Sequence, residues 1–199
     1  MKEQRVTERT NRREMLKLSG MGVLGGVAAA GLTSKAQAAL EPIKIPYASW
    51  IHGHSMQVEY PERIARHERN GWGTDIEGLP GTINWFHFAV PTPVIINDVR
   101  MQADSVMLCF ETGSADAFVR DVHVYDGRYR IAEFNGINLF GDQSFVRLVL
   151  PGVPLMWQGI GISLGVGFGV EAMDHLMRFY AAGCDFVIRP PVQEGSGQR

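Results

Sequence analysis

From Ser49 onward, apolar and polar residues tend to alternate, and clusters of Gly, Pro, Asn and Asp separate the short apolar runs. A period of two with regular turn signals is the pattern of strands that bury one face and wet the other. Residues 49–60 place Trp50, His52, His54, Met56, Val58 and Tyr60 on one face. The charged, glycine-rich stretch 61–81 reads as a long loop with one helical turn over 61–68. Strands are predicted over 83–90, 94–96, 99–111, 118–125, 129–134, 145–150 and 179–188, with Pro91-Thr92-Pro93 confining its neighbours to edges or ends. Asp126-Gly127 between two such runs marks a tight hairpin, because this dipeptide readily supplies the positive φ angles of a two-residue turn.

The run 159–168 sets five large apolar residues on one face and only Gly or Ser on the other. A strand face without side chains needs something to approach it closely, and a neighbouring sheet, loop or aromatic ring is the expected occupant, with a ligand platform as the alternative. The pattern as a whole predicts an all-β chain, a single-domain antiparallel β-sandwich or jelly roll over residues 39–189. The tail 190–199, opening on Pro190-Pro191 and closing on Gly-Ser-Gly, is predicted to be disordered.

The first 38 residues break the pattern. They hold seven of the 19 Lys and Arg but three of the 21 acidic residues, followed by an uncharged Gly/Ala/Leu stretch. Asn11-Arg12-Arg13-Glu14-Met15-Leu16-Lys17 resembles the twin-arginine export consensus, with Met15 in place of the usual Phe. Ala36-Gln37-Ala38 offers the small residues of a cleavage site, and the glycine-broken segment before it is too weakly apolar for a spanning helix. Residues 1–38 therefore read as a cleaved signal peptide, with the twin-arginine translocase as partner during export and a periplasmic or secreted product without a stable membrane anchor. Removing them leaves 19 − 7 = 12 basic and 21 − 3 = 18 acidic side chains, a formal charge of −6. With no clustered basic surface, the domain has no nucleic-acid partner. An exported location would permit a disulfide between Cys109 and Cys184, although each sits in a strand-like run where a free thiol packs equally well.

Among residues able to carry chemistry, His52-Gly53-His54 is the most suggestive, since histidines two apart in a strand share a face and can share a metal ion. With Glu59 following, the spacing is similar to the first half of the cupin metal motif. The glycines expected around that triad and its second histidine motif are absent, and strict alternation sends Glu59 to the other face unless a bulge intervenes. His87, in Asn84-Trp85-Phe86-His87-Phe88, is the third candidate for a divalent metal. The bland alternative is that these histidines are ordinary hydrogen-bonded residues on half-buried faces. A second constellation is aromatic. Trp50, Trp72 and Trp85 are candidate ligand contacts, and Trp72, among glycines in a charged stretch, is expected to be exposed. No Gly-x-Ser-x-Gly elbow or phosphate-binding loop occurs.

The segments Ser49-Trp50-Ile51-His52-Gly53, Val58-Glu59, Gly73-Thr74, Asn84-Trp85-Phe86-His87, Pro91-Thr92-Pro93, Val122-His123-Val124-Tyr125-Asp126-Gly127, Gly159-Ile160-Gly161-Ile162-Ser163 and Ala181-Ala182-Gly183, with Asp185-Phe186 beyond, carry a resemblance over nearly the whole domain. Taken together they are similar to a family of exported bacterial proteins, also found in some fungi, that carries a domain of unknown function. The resemblance implies a shared fold and brings no activity, cofactor or catalytic residue; its pattern includes a histidine at His52 but not at His54.

The leading functional expectation is a noncatalytic module binding a glycan or a small amphipathic ligand, with no cofactor. The alternatives are a metal-dependent enzyme built on His52, His54 and His87, and an envelope interaction or assembly module marked by an exposed apolar patch.

Overall fold

The protein is described by a computed structural model, which covers residues 45–188 apart from Ala172. The signal peptide expected over 1–38 and the tail expected over 190–199 lie outside the described residues. In chain order the strands are β1 (Tyr47–His52), β2 (Gln57–Val58), β3 (Ile64–Asn70), β4 (Gly73–Gly78), β5 (Thr82–Val90), β6 (Ile95–Ile96), β7 (Val99–Arg100), β8 (Gln102–Thr112), β9 (Ala117–Asp126), β10 (Tyr129–Phe134), β11 (Asp142–Val149), β12 (Ile160–Phe168) and β13 (Leu176–Val187). Two antiparallel sheets form the sandwich. One has six strands in the order β11-β8-β13-β4-β3, with β1 also on β13; the other has five, in the order β10-β9-β12-β5-β2.

Long β13 serves two partners along one edge, β4 over residues 176–179 and β1 over 181–186, while β8 runs along its other edge. The inward faces of the two sheets meet in a single apolar core. Phe86 and Phe88 of β5 pack on Phe179 of β13 at ring separations of 4.9 and 5.8 Å, bridging the sheets. On β12 the five large residues Ile160, Ile162, Leu164, Val166 and Phe168 all point into this core, as their alternation requires.

Predicted and observed strands agree closely around the 126–127 hairpin and along β12 and β13. In the hairpin, Asp126 pairs with Tyr129 across Gly127-Arg128, and Gly127 takes the positive φ of +58°. The expected loop at 61–81 is instead the hairpin β3–β4, with only a 3-10 turn at Pro61–Arg63. Its edge strand carries Arg66, His67, Glu68 and Arg69, and charges on an edge guard against pairing with other chains while hiding the alternation. Nor does the first strand run on to Tyr60: it stops at His52, and Gly53–Ser55 forms a 3-10 turn. Cys109 and Cys184 are both free; each pairs elsewhere on the β8–β13 ladder, Cys109 with Ala181 and Cys184 with Val106, so no bridge joins them. Among the described residues no helix is long and apolar enough to cross a membrane.

Candidate functional site

The outward face of the five-stranded sheet holds the richest chemistry, and the strand register builds it. One rung runs across all five strands as Gln57, His87, Ser163, His123 and Glu133. Each is polar, and their neighbours Phe86, Phe88, Ile162, Leu164, Val122, Val124 and Ala132 are buried in the core. On one side of this belt Gly161 leaves an open floor between Ala89 and Tyr125. On the other, the Trp85 ring lies across Gly165 of the next strand, where a β-carbon would stand 3.1 Å from it. That missing side chain lets the indole reach His123, whose ring centroid is 4.8 Å away.

Two hydrogen-bond chains fix the imidazoles. Ser163 Oγ is 2.9 Å from His87 Nδ1, and Glu59 Oε2 is 3.0 Å from His87 Nε2. A carboxylate only accepts, so Nε2 carries the proton, and in the neutral ring Nδ1 accepts from the serine hydroxyl. His123 Nε2 bonds Asn135 Oδ1 at 3.0 Å. Glu59 is held in place from below by fully buried Asn84. The Asn84 Oδ1 accepts from the Tyr60 N–H at 3.1 Å and its Nδ2 donates to the Tyr60 carbonyl at 2.8 Å, stapling the chain beyond β2 to β5.

A serine, an imidazole and a carboxylate in sequence suggest nucleophilic chemistry, but an acyl intermediate also needs donors for its oxyanion. Ser163 lies mid-strand in β12, whose backbone is laddered on both sides to β5 and β9.

The structure separates the predicted histidines. His52 caps the 3-10 turn, its Nδ1 accepting from the His54 N–H at 3.3 Å, and His54 Nε2 bonds the Asn70 carbonyl. Their rings are 4.3 Å apart at the end of β1, but His87 has both nitrogens engaged on the belt. Among the described residues no group of three or more His, Cys, Asp and Glu is placed to hold a metal ion. The turn at Gly53 is the reason the expected shared strand face does not exist.

The three tryptophans are divided as well. Trp85 belongs to the five-stranded sheet. Trp50 lies over Gly183 of the six-stranded sheet, with Phe145 at 6.2 Å. Trp72, at the β3–β4 turn, is 47% exposed, as expected for its glycine-rich surroundings, and packs at 5.8 Å on Tyr180. Beside it Glu111 takes hydrogen bonds from Tyr180 Oη at 2.6 Å and Arg178 Nη1 at 3.1 Å. The Tyr180 hydroxyl holds the Glu111 carboxyl below its usual range, while burial, reinforced by Glu111, pushes the Tyr180 phenol up to about 12.

Sequence reading did not single out Ser163, His123, Gln57 or Glu133, and saw Glu59 only as a companion of His54. The bare face of β12 was the available signal, because it marked a strand over which neighbouring side chains could lean.

No curated protein matches the chain at a significant level. Solved structures similar to it include the C-terminal CBM6 of LamC, a marine laminarinase from Zobellia galactanivorans, at 10% identity and a TM-score of 0.39 over 69% of this chain and 99% of that one. An exo-β-1,3-galactanase from Phanerochaete chrysosporium, crystallised with galactose, is similar at 12% identity and a TM-score of 0.36, over 69% of this chain and 29% of that one. A Stig cyclase from Fischerella sp. TAU is similar at 10% identity and a TM-score of 0.39, over 75% of this chain and 93% of that one. In sequence, a family of unknown function, DUF6623, matches residues 45–184, nearly the whole described domain, and the chain belongs to that family.

Proposed function

We propose that the protein is a noncatalytic binding module that takes a glycan on the outward face of its five-stranded sheet. The observation that carries this reading is the polar rung Gln57-His87-Ser163-His123-Glu133 beside the Trp85 ring. A sugar offers hydroxyls that donate and accept, and an apolar ring face that stacks on an indole. The rung supplies amide, imidazole, hydroxyl and carboxylate groups across one line of strands, and the tryptophan supplies the flat surface. Trp85 and His123 are the proposed contacts, with His87 held between Ser163 and Glu59 beside them; Trp50 and Trp72 stand on the other sheet and are outside this site. Export by the twin-arginine route, which would bring the module to extracellular or periplasmic glycans, is supported by Arg12-Arg13 and the segment that follows.

A glycan array followed by calorimetric titration of the best binder tests the reading. Trp85→Ala and His123→Ala should each weaken binding about tenfold, the loss of roughly 1.4 kcal/mol that one stacked ring or one hydrogen bond provides. Binding that is indifferent to both substitutions would place the glycan elsewhere.

A further inference from the structure

At the hairpin end of the five-stranded sheet, away from the polar rung, a cleft of about 350 Å³ opens between the β9–β10 hairpin and the loop that leads into β12. Its walls include Tyr129 from the hairpin and Leu155 and Trp157 from the loop, which are 58%, 45% and 64% exposed. Three large apolar side chains converging on one concavity while still facing water are the surface a ligand covers.

Both aromatic walls are backed by cations. The Arg100 guanidinium sits 4.1 Å from the Trp157 ring centroid and donates to the Met156 carbonyl at 2.6 Å. Arg128 stands 4.9 Å from the Tyr129 centroid and donates to its hydroxyl at 2.8 Å. Tyr129 and Trp157 line the cleft and the two arginines do not, so the guanidiniums support the rings from outside. A cation on a ring draws its π density and leaves the ring better matched to an electron-rich partner.

Both oxygens of the carboxylate in the wall are turned to backbone donors. Asp126 accepts from the N–H groups of Trp157, Gln158 and Gly159 at 2.7, 2.8 and 2.8 Å. These bonds, with Gly127 N–H to the Gly159 carbonyl at 2.9 Å, tie the loop that carries Trp157 to the hairpin that carries Tyr129. The same loop holds buried Val153 at a φ of +47°, a conformation that β-branched residues rarely adopt. The two walls are thus braced before anything binds, which lowers the ordering cost of association.

We infer that this cleft binds a small, flat aromatic molecule bearing an acidic group, stacked on Trp157 and Tyr129, with Arg100 and Arg128 favouring its charge through the rings they back. The volume suits one or two fused rings. This site stands apart from the glycan reading and does not depend on it.

Calorimetric titration of the purified protein with naphthalenesulfonate, uncharged naphthol and glucuronate tests the inference. Naphthalenesulfonate should bind one per chain and about fivefold or more tighter than naphthol, with glucuronate failing to displace it. Trp157→Ala and Tyr129→Ala should each weaken it about tenfold, the equivalent of one lost ring stack. Arg100→Gln, which keeps the indole, should erase most of the preference for the anion. Unchanged affinity in the two alanine variants, equal affinity for naphthol, or displacement by glucuronate would each overturn the proposal. Both ring positions are exposed, so a thermal melt close to that of the unsubstituted protein is expected to accompany each result.

Discussion

Ser163 on β12 and Glu59 beyond β2, 104 residues apart in the chain (163 − 59), bond opposite nitrogens of the same imidazole, His87, at 2.9 and 3.0 Å. The relation fixes the tautomer of that ring. With Glu59→Gln the acceptor-only partner is lost, and the imidazole nitrogen spectrum of His87 should show both tautomers where the unsubstituted protein shows one. Both side chains of the Glu59–His87 pair are 39% exposed, so the unfolding free energy should fall by no more than about 1 kcal/mol in urea titration.

Asn84 is expected to be far less tolerant. It is fully buried and its amide serves the backbone N–H and carbonyl of Tyr60 as well as the N–H of Trp85 at 2.8 Å. Asn84→Ala leaves these groups without their side-chain partner and should cost about 2–3 kcal/mol by chemical denaturation, with Tyr60 amide exchange accelerated. Asn84→Asp keeps the acceptor but sets a carboxylate oxygen against the Tyr60 carbonyl, so at neutral pH it should cost at least as much as the alanine.

Gly165→Ala sets two effects against each other. Losing a glycine from the unfolded chain contributes about 0.4–1 kcal/mol of stability, and crowding a packed ring costs about 1–3 kcal/mol. The new methyl would lie 3.1–3.2 Å from three atoms of the Trp85 ring, tight enough that the indole must move. The expected result is a loss of around 1 kcal/mol or less, accompanied by a changed tryptophan emission and by weaker binding on the face.

Much of this architecture can be read from the chain, and what cannot has a physical reason. The apolar positions of β12 alternate without interruption, and Asp126-Gly127 announces its turn, so both were legible. Charged edge strand β3 has no clean alternation, because Arg66, His67, Glu68 and Arg69 follow one another where the strand faces water on its outer edge. The histidine pair misled because pattern alone does not show that a strand ends at His52. The polar rung is a different kind of blindness. Gln57, His87, His123, Glu133 and Ser163 become neighbours only through four separate ladders, and a residue's rung depends on register, which local sequence does not state.

Alkaline titration should reveal Tyr180. Burial and the neighbouring Glu111 carboxylate raise its phenol to about 12 from an ordinary 10, so the folded protein holds this proton more tightly than the unfolded chain. The stabilisation is complete below pH 10 and lost as pH rises through 12. Absorbance at the phenolate band should show a late-ionising tyrosine that Tyr180→Phe removes. The same hydrogen bond depresses Glu111, whose contribution is present above the ordinary carboxylate range and disappears as pH falls through its lowered value.

Asp126→Ala should strip three backbone N–H groups of their acceptor at once and cost about 3 kcal/mol or more, given the usual 1.5–3 kcal/mol for a hydrogen bond to a charged group. Hydrogen exchange should speed up at residues 157–159, which Asp126 caps, before it does so in β12.

Both sulfurs remain thiols, in strands that are neighbours yet at rungs that do not meet, and burial drives the Cys184 thiol well above its ordinary range. The sandwich therefore closes by packing and ladder formation without any oxidative step. Its folded state has no stake in the glutathione poise of its surroundings, so it can be completed in a reducing compartment and persist unchanged in an oxidising one. Added dithiothreitol should leave its melting temperature where it was.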